Sequence, residues 1–149
     1  MTLAEKIRSD LEQSIRKEDK LRRSVLRLVL SSMRNAEIAQ QKPLDDTGII
    51  GVIEKEAKMR RESIEAFEKG NRPDLVANEK AELSVLMEYL PEQMSHEEIV
   101  AAARKVVDEL GATGPKDKGK VMSQLMPQLK GKAQGQEVSE VVSELLSST

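Results

Sequence analysis

Lysine and glycine are the residue types in this chain whose spacing comes closest to a binding chemistry. Lys116, Lys118 and Lys120 precede an apolar segment and Lys130 and Lys132 follow it, with Asp117 the sole acid between positions 116 and 132. Five lysines against one aspartate leave a local excess of four positive charges. Gly119, Gly131 and Gly135 stand among these lysines, where a missing side chain lets the backbone turn sharply or lets a partner come close. Ammonium groups and backbone N–H groups near helix starts suit phosphate oxygens. Lys116, Lys118, Gly119, Lys120, Lys130, Gly131, Lys132 and Gly135 are therefore the candidate residues of an anion-facing surface.

Other chemistries fare less well. The stretch from Gly114 through Gly119-Lys120-Val121 matches a phosphate-binding P-loop up to its last position, where Val121 stands in place of the Ser or Thr that holds magnesium. The single histidine, His96, lies beside Glu97 and Glu98 with no nucleophile or orienting partner in view, and reads as an exposed first-turn residue. With no cysteine, thiolate metal sites, disulfides and cysteine nucleophiles are excluded. No calcium-loop spacing is present. Carboxylate pairs such as Glu54 with Glu56 and Glu62 with Glu65 read as surface residues, and the serines at positions 139, 143, 147 and 148 lack a base. No catalytic residue, cofactor site or metal site is assigned.

A second basic region comprises Arg16, Lys17, Lys20, Arg22, Arg23, Arg27 and Arg34 and reads as a solvated helix face. Phe67 and Tyr89 are the only aromatic residues, so neither region has a platform on which nucleic-acid bases stack. An RNA partner would be read by its shape and backbone. The net charge of −2 places any such contact on local patches.

Helices must position these residues. Thr2 with Glu5 forms a capping box ahead of Leu3, Ile7, Leu11 and Ile15, predicting a helix from Leu3 to Lys17. Asp19 caps a second, with Leu21, Val25, Leu28, Val29, Met33 and Ala36 on its apolar side, running to Gln40. Pro43 and the Asp45-Asp46-Thr47-Gly48 cluster introduce a third that ends at Gly70, carrying Ile49, Ile53, Ala57, Ile64 and Phe67 inward. Glu54 with Lys58, Glu56 with Arg60 and Glu65 with Lys69 have the spacing of pairs on a solvated face. Pro73 starts a fourth helix that ends before Pro91, with Leu83, Leu86, Met87 and Leu90 buried.

Ser95 and Glu98 make another capping box for a helix from His96 to Leu110, stopped by Gly111. Gly114-Pro115 opens the lysine-flanked helix, on which Val121, Met122, Leu125, Met126 and Leu129 share one face. Pro127 predicts a kink or an early end near Met126. Val138, Val141, Val142, Leu145 and Leu146 form a closing helix after Gly135. No stretch alternates with period two long enough to predict a strand.

The expectation is an all-α chain of two lobes, a four-helix amino-terminal domain over 1–90 and a three-helix domain over 91–149. Apolar runs of four or five residues are far short of the ~20 that span a bilayer, so no membrane contact is expected. Glu5, Asp10 and Glu12 are at odds with a transit peptide, which is poor in acids, and this predicts a cytoplasmic protein.

Tyr89-Leu-Pro-Glu-Gln-Met, Gly119-Lys-Val-Met and Met126-Pro-Gln-Leu-Lys-Gly-Lys-Ala-Gln-Gly135, with Arg60-Arg-Glu-Ser-Ile-Glu-Ala-Phe-Glu-Lys-Gly-Asn-Arg-Pro-Asp-Leu75 upstream, resemble the YqeY family over nearly the whole chain. The resemblance implies a helical amino-terminal domain followed by a small domain similar to the tail of GatB, the tRNA-handling subunit of the glutamine-dependent aspartyl/glutamyl-tRNA amidotransferase. That tail contacts the tRNA body, away from the chemistry. Carried over, Lys120, Lys130, Lys132, Gly119, Gly131 and Gly135 become candidate tRNA-facing positions, and Gln134 replaces the acid often found at its place in the family. The implied role is a tRNA-binding accessory, with tRNA and a tRNA-modifying or aminoacylating enzyme as partners. An amidotransferase relation rests on that association alone, since no ammonia source or nucleotide site is visible. The alternative is a protein-interaction module using Met122 and Met126 as an adaptable groove, for which these methionines must be partly exposed.

Overall fold

A computed structural model describes residues 1–147. Among these the chain is all-α, with helices α1 (Leu3–Arg16), α2 (Lys20–Gln40), α3 (Asp46–Lys69), α4 (Pro73–Met87), α5 (His96–Leu110), α6 (Lys118–Leu129) and α7 (Gly135–Ser147), and one 3-10 turn at Pro115–Asp117. The helices start where side-chain oxygens satisfy their first free N–H groups. Thr2 Oγ1 accepts from Glu5 N while Glu5 Oε2 accepts from Thr2 N, closing the first capping box. Ser95 and Glu98 close the second in the same way. Asp19 and Asp45 cap α2 and α3.

Contacts divide the chain into two compact units, Met1–Leu90 and Pro91–Thr149. In the first, α3 packs along α4 and α1 along α2, and α2 joins the two pairs. Ile7, Leu26, Val29, Ile49 and Ile53 are sealed at its centre, and Tyr89 closes the cluster. In the second, α5, α6 and α7 each pack on the other two around Ile99, Val121, Leu125, Val138 and Val142. Removing each such side chain from water stabilises its unit by about 1.5–3 kcal/mol. That aliphatic core holds the lysine-bearing segments in place.

Several details depart from the sequence pattern. Ile15, Leu28 and Leu110 keep the helical period yet are 45, 44 and 41% exposed, because each lies at the margin of its apolar stripe. Helix α4 ends at Met87, and the chain tightens into three-residue hydrogen-bonded turns through Leu90. Helix α6 continues past Pro127 to Leu129, so the helix is not shortened there. Leu125 and Leu129 are both anchored in the core, and their burial offsets the hydrogen bond lost at the proline. Glu56 is a correction of substance. It is not a surface acid but a buried one, 6% exposed, because α3 turns it toward Ser32 on α2.

Candidate functional site

The lysines lie at the two ends of α6, separated by about 18 Å for a helix of twelve residues. At its start, Gly111 takes φ +63 and stops α5, and the chain returns through Thr113 and Gly114 into the 3-10 turn. Asp117 Oδ2 accepts from Thr113 N at 3.0 Å and Asp117 N donates to Gly114 O at 3.0 Å, which fixes the turn. That bond from Thr113 holds the Asp117 carboxyl below the usual carboxylate range, with Lys120 and Lys116 acting in the same direction. The aspartate is therefore ionised at neutral pH and offsets one of the three neighbouring lysines.

Lys116, Asp117 and Lys120, with Leu110, Gly111 and Thr113, line a shallow cleft of about 280 Å³. Helix α6 has no acid in its first turn. Lys118 and Lys120 thus face the positive end of its dipole, an arrangement that costs the helix stability and concentrates positive potential. Asp117, at the N-cap of α6, moderates that cost. Gly119 is exposed, and a Cβ built on it meets nothing within 4 Å. Packing gives no reason for the absence of a side chain at this position.

The other end is built differently. Gly131 is buried with φ +80, a conformation that favours glycine over any residue with a Cβ. Gln93 Nε2 donates to Gly131 O at 2.7 Å and to Pro91 O at 2.8 Å, and Met94 N donates to Lys132 O at 2.8 Å. The Pro-Glu-Gln-Met segment therefore clasps the Lys130–Lys132 loop from below and leaves both lysine side chains exposed. Gln93 and Met94 are site-positioning residues that spacing alone does not reveal, because 38 residues separate Gln93 from Gly131. Gly135 is exposed, and its neighbour is Met126, whose Cε lies 3.8 Å from an added Cβ.

Among the described residues none of the five lysines is engaged in an ion pair. In the amino-terminal basic region Arg16 is tied to Glu12 at 2.7 Å and Arg22 to Glu88 at 2.8 Å, while Lys17, Lys20, Arg23, Arg27 and Arg34 are in no ion pair among the described residues. His96 is exposed with Nδ1 3.4 Å from Glu137 Oε1, a contact without a nucleophile beside it. The P-loop match dissolves, because the segment before Gly119 is a helix and a 3-10 turn rather than a strand. Met122 and Met126 are half-buried and pack on the edge of the carboxyl-terminal core.

A family model described as Yqey-like protein matches residues 4–146. The chain belongs to the YqeY family. Among its relatives this YqeY chain is 35% identical over 112 residues to altered inheritance of mitochondria protein 41, mitochondrial, of Lachancea thermotolerans, covering 73% of this chain and 60% of that protein. The protein of the same name from Eremothecium gossypii is 32% identical over 80% of this chain and 67% of its own length. That of Kluyveromyces lactis is 34% identical over 73% of this chain and 60% of its own length. The YqeY chain thus spans less than two thirds of some of the curated relatives it matches.

These relatives overturn the cytoplasmic expectation, since all three are named as mitochondrial proteins. The acids at Glu5, Asp10 and Glu12 belong to α1 and its capping box, so they report on that helix and carry no address. No helix among the described residues is long and apolar enough to cross a membrane.

Proposed function

We propose that this YqeY chain binds tRNA through its carboxyl-terminal unit, as an accessory to a tRNA-modifying or aminoacylating enzyme. The observation that carries the reading is the set of five lysines without ion pairs at the two ends of one core-anchored helix, with the bare backbone of Gly119 between two of them. Ion-paired lysines would have to give up their partners to meet phosphate; these do not. Two clusters about 18 Å apart along α6 suit a polyanion that presents phosphates along its length better than a single small anion. The likeness of this unit to the GatB tail, which the YqeY resemblance implies, supports tRNA as the particular polyanion. The role is binding and positioning.

The half-exposed Met122 and Met126 support a second reading, docking of a protein partner on the apolar margin of the same unit. Filter binding of tRNA with lysine and methionine variants separates the two. Charge reversal at Lys120, Lys130 and Lys132 abolishes binding on the first reading, whereas it leaves a methionine-dependent protein partner bound on the second.

A further inference from the structure

Helix α2, in the amino-terminal unit, carries a charged face that the tRNA reading does not use. From Lys20 through Ala36 it contains no acid, and it holds Lys20, Arg22, Arg23, Arg27 and Arg34. Arg22 is tied to Asp19 and Glu88. The other four are in no ion pair among the described residues. In the order Lys20, Arg23, Arg27, Ser31, Arg34 every step is of three or four residues, which at about 100° per residue gathers all five within about 80° of arc. This stripe lies on the opposite side of the helix from the buried Val25, Leu26, Val29 and Met33. Lys20, Arg27, Ser31 and Arg34 are exposed and Arg23 is half-buried. From Lys20 to Arg34 the stripe runs about 21 Å.

The arrangement works against the helix that bears it. Lys20 with Arg23 and Arg23 with Arg27 set like charges at the spacings where helical side chains meet, and such pairs destabilise a helix. Lys20 also stands at the positive end of the α2 dipole, in a first turn that has no acid. A solvated face ordinarily relieves this repulsion with interleaved acids, as Glu65 does for Lys69 on α3. The acids around the stripe are engaged elsewhere. Glu56 and Glu82, which share a cleft with Arg27, are bonded to Ser32 and Arg60. Glu37, the next acid along α2, accepts from Leu44 N. None of them pairs with the stripe.

We propose that the α2 stripe is a second nucleic-acid contact, at which Lys20, Arg23, Arg27 and Arg34, with the Ser31 hydroxyl, bind successive phosphates of the tRNA backbone; the inference rests on the reading that this chain binds tRNA. A stripe of about 21 Å is too long for a single phosphate and suits a backbone that presents them in series. Three of the four cations are arginines, whose planar forks pair with two phosphate oxygens at once. An acidic protein fits less well. Protein interfaces centre on apolar and aromatic side chains, and the large apolar residues exposed on α2 are Leu28, beside the stripe, and Ile38, beyond its end.

The test measures affinity of the full chain for an unmodified tRNA transcript over a salt series. The parent is compared with a variant in which Lys20, Arg23, Arg27 and Arg34 are changed to Gln, and with one in which Lys120, Lys130 and Lys132 are changed to Glu. Gln forms helix about as well as Lys and Arg, and relief of the like-charge pairs should leave thermal unfolding unchanged or raise its midpoint. The α2 variant should bind about tenfold or more weakly at low salt, and its slope of log affinity against log salt should be shallower by about three to four. Ser31→Glu, which sets one acid in the middle of the stripe at an exposed position, should weaken binding by itself and keeps the test decisive if the fourfold variant does not fold. Parent affinity and slope in the α2 variants, with binding lost in the lysine variant, overturn this inference and leave the carboxyl-terminal reading in place. Weakened binding in the α2 variants with parent affinity in the lysine variant supports this inference and overturns that reading. Absence of binding by the parent, or displacement of the transcript by polyglutamate as readily as by unlabelled tRNA, overturns it as well.

Discussion

Gln93 donates its side-chain amide to the carbonyl of Gly131 at 2.7 Å, tying the segment before α5 to the lysine loop after α6. The bond lets a buried glycine at φ +80 turn the chain so that Lys130 and Lys132 leave the surface on either side of it. Gly131→Ala should cost about 1–2 kcal/mol, the penalty of a left-handed conformation for a residue with a Cβ. Gln93→Ala should cost about 1 kcal/mol. Urea denaturation of both singles and the double variant should show less than additive loss, since the two changes disrupt one clasp.

Gly119 is expected to behave in the opposite way. It sits in α6 with an ordinary negative φ and with open space where a methyl group would stand, so Gly119→Ala should raise stability by about 0.4–1 kcal/mol. If phosphate approaches the backbone there, the stabilised variant should bind tRNA more weakly. A gain in both stability and binding would remove Gly119 from the interface.

Tyr89 gives a pH test in the amino-terminal unit. Its hydroxyl donates to Asp10 Oδ2 at 2.6 Å and Lys6 Nζ lies 5.4 Å from its ring centre. Burial, and then the Asp10 carboxylate, push the phenol well above its ordinary value. The chain has one tyrosine and no tryptophan, so phenolate absorbance reports this residue alone. In denaturant it should ionise near pH 10, and in the folded chain only at higher pH. A raised folded value means that the contribution to stability is complete below the unfolded value and is lost as pH rises from there through the folded one. Asp10→Asn should lower the folded value only in part, because burial is the larger cause.

Asp117 has the reverse sign. Its folded value is depressed, chiefly by the Thr113 N–H, so its contribution is present above the unfolded carboxylate value and is lost as pH falls through the folded one. Asp117→Ala should be less stable than the parent at neutral pH, and denaturation curves of the two should converge in acid. Persistence of the full difference in acid would mean that the turn depends on something other than the charge.

Much of the fold is legible in the sequence because caps and apolar period agree. Thr2 with Glu5 and Ser95 with Glu98 mark helix starts that the structure contains, and Val121, Leu125 and Leu129 mark the buried face of α6. Glu56 is an exception, since its four-residue spacing to Arg60 has the look of a surface pair. Only the packing of α3 against both α2 and α4 sends Glu56 to Ser32 and Arg60 to Glu79 and Glu82. The lysine positions are legible, while the clasp beneath them is not, because a side-chain bond across 38 residues leaves no local period.

The most direct measurement of the central claim is tRNA affinity of the full chain at two salt concentrations, beside a variant with Lys120, Lys130 and Lys132 changed to Glu. Binding that weakens steeply with salt in the parent and is absent in the folded variant is the predicted result. Equal affinity of parent and variant, or no binding by the parent at low salt, would contradict it.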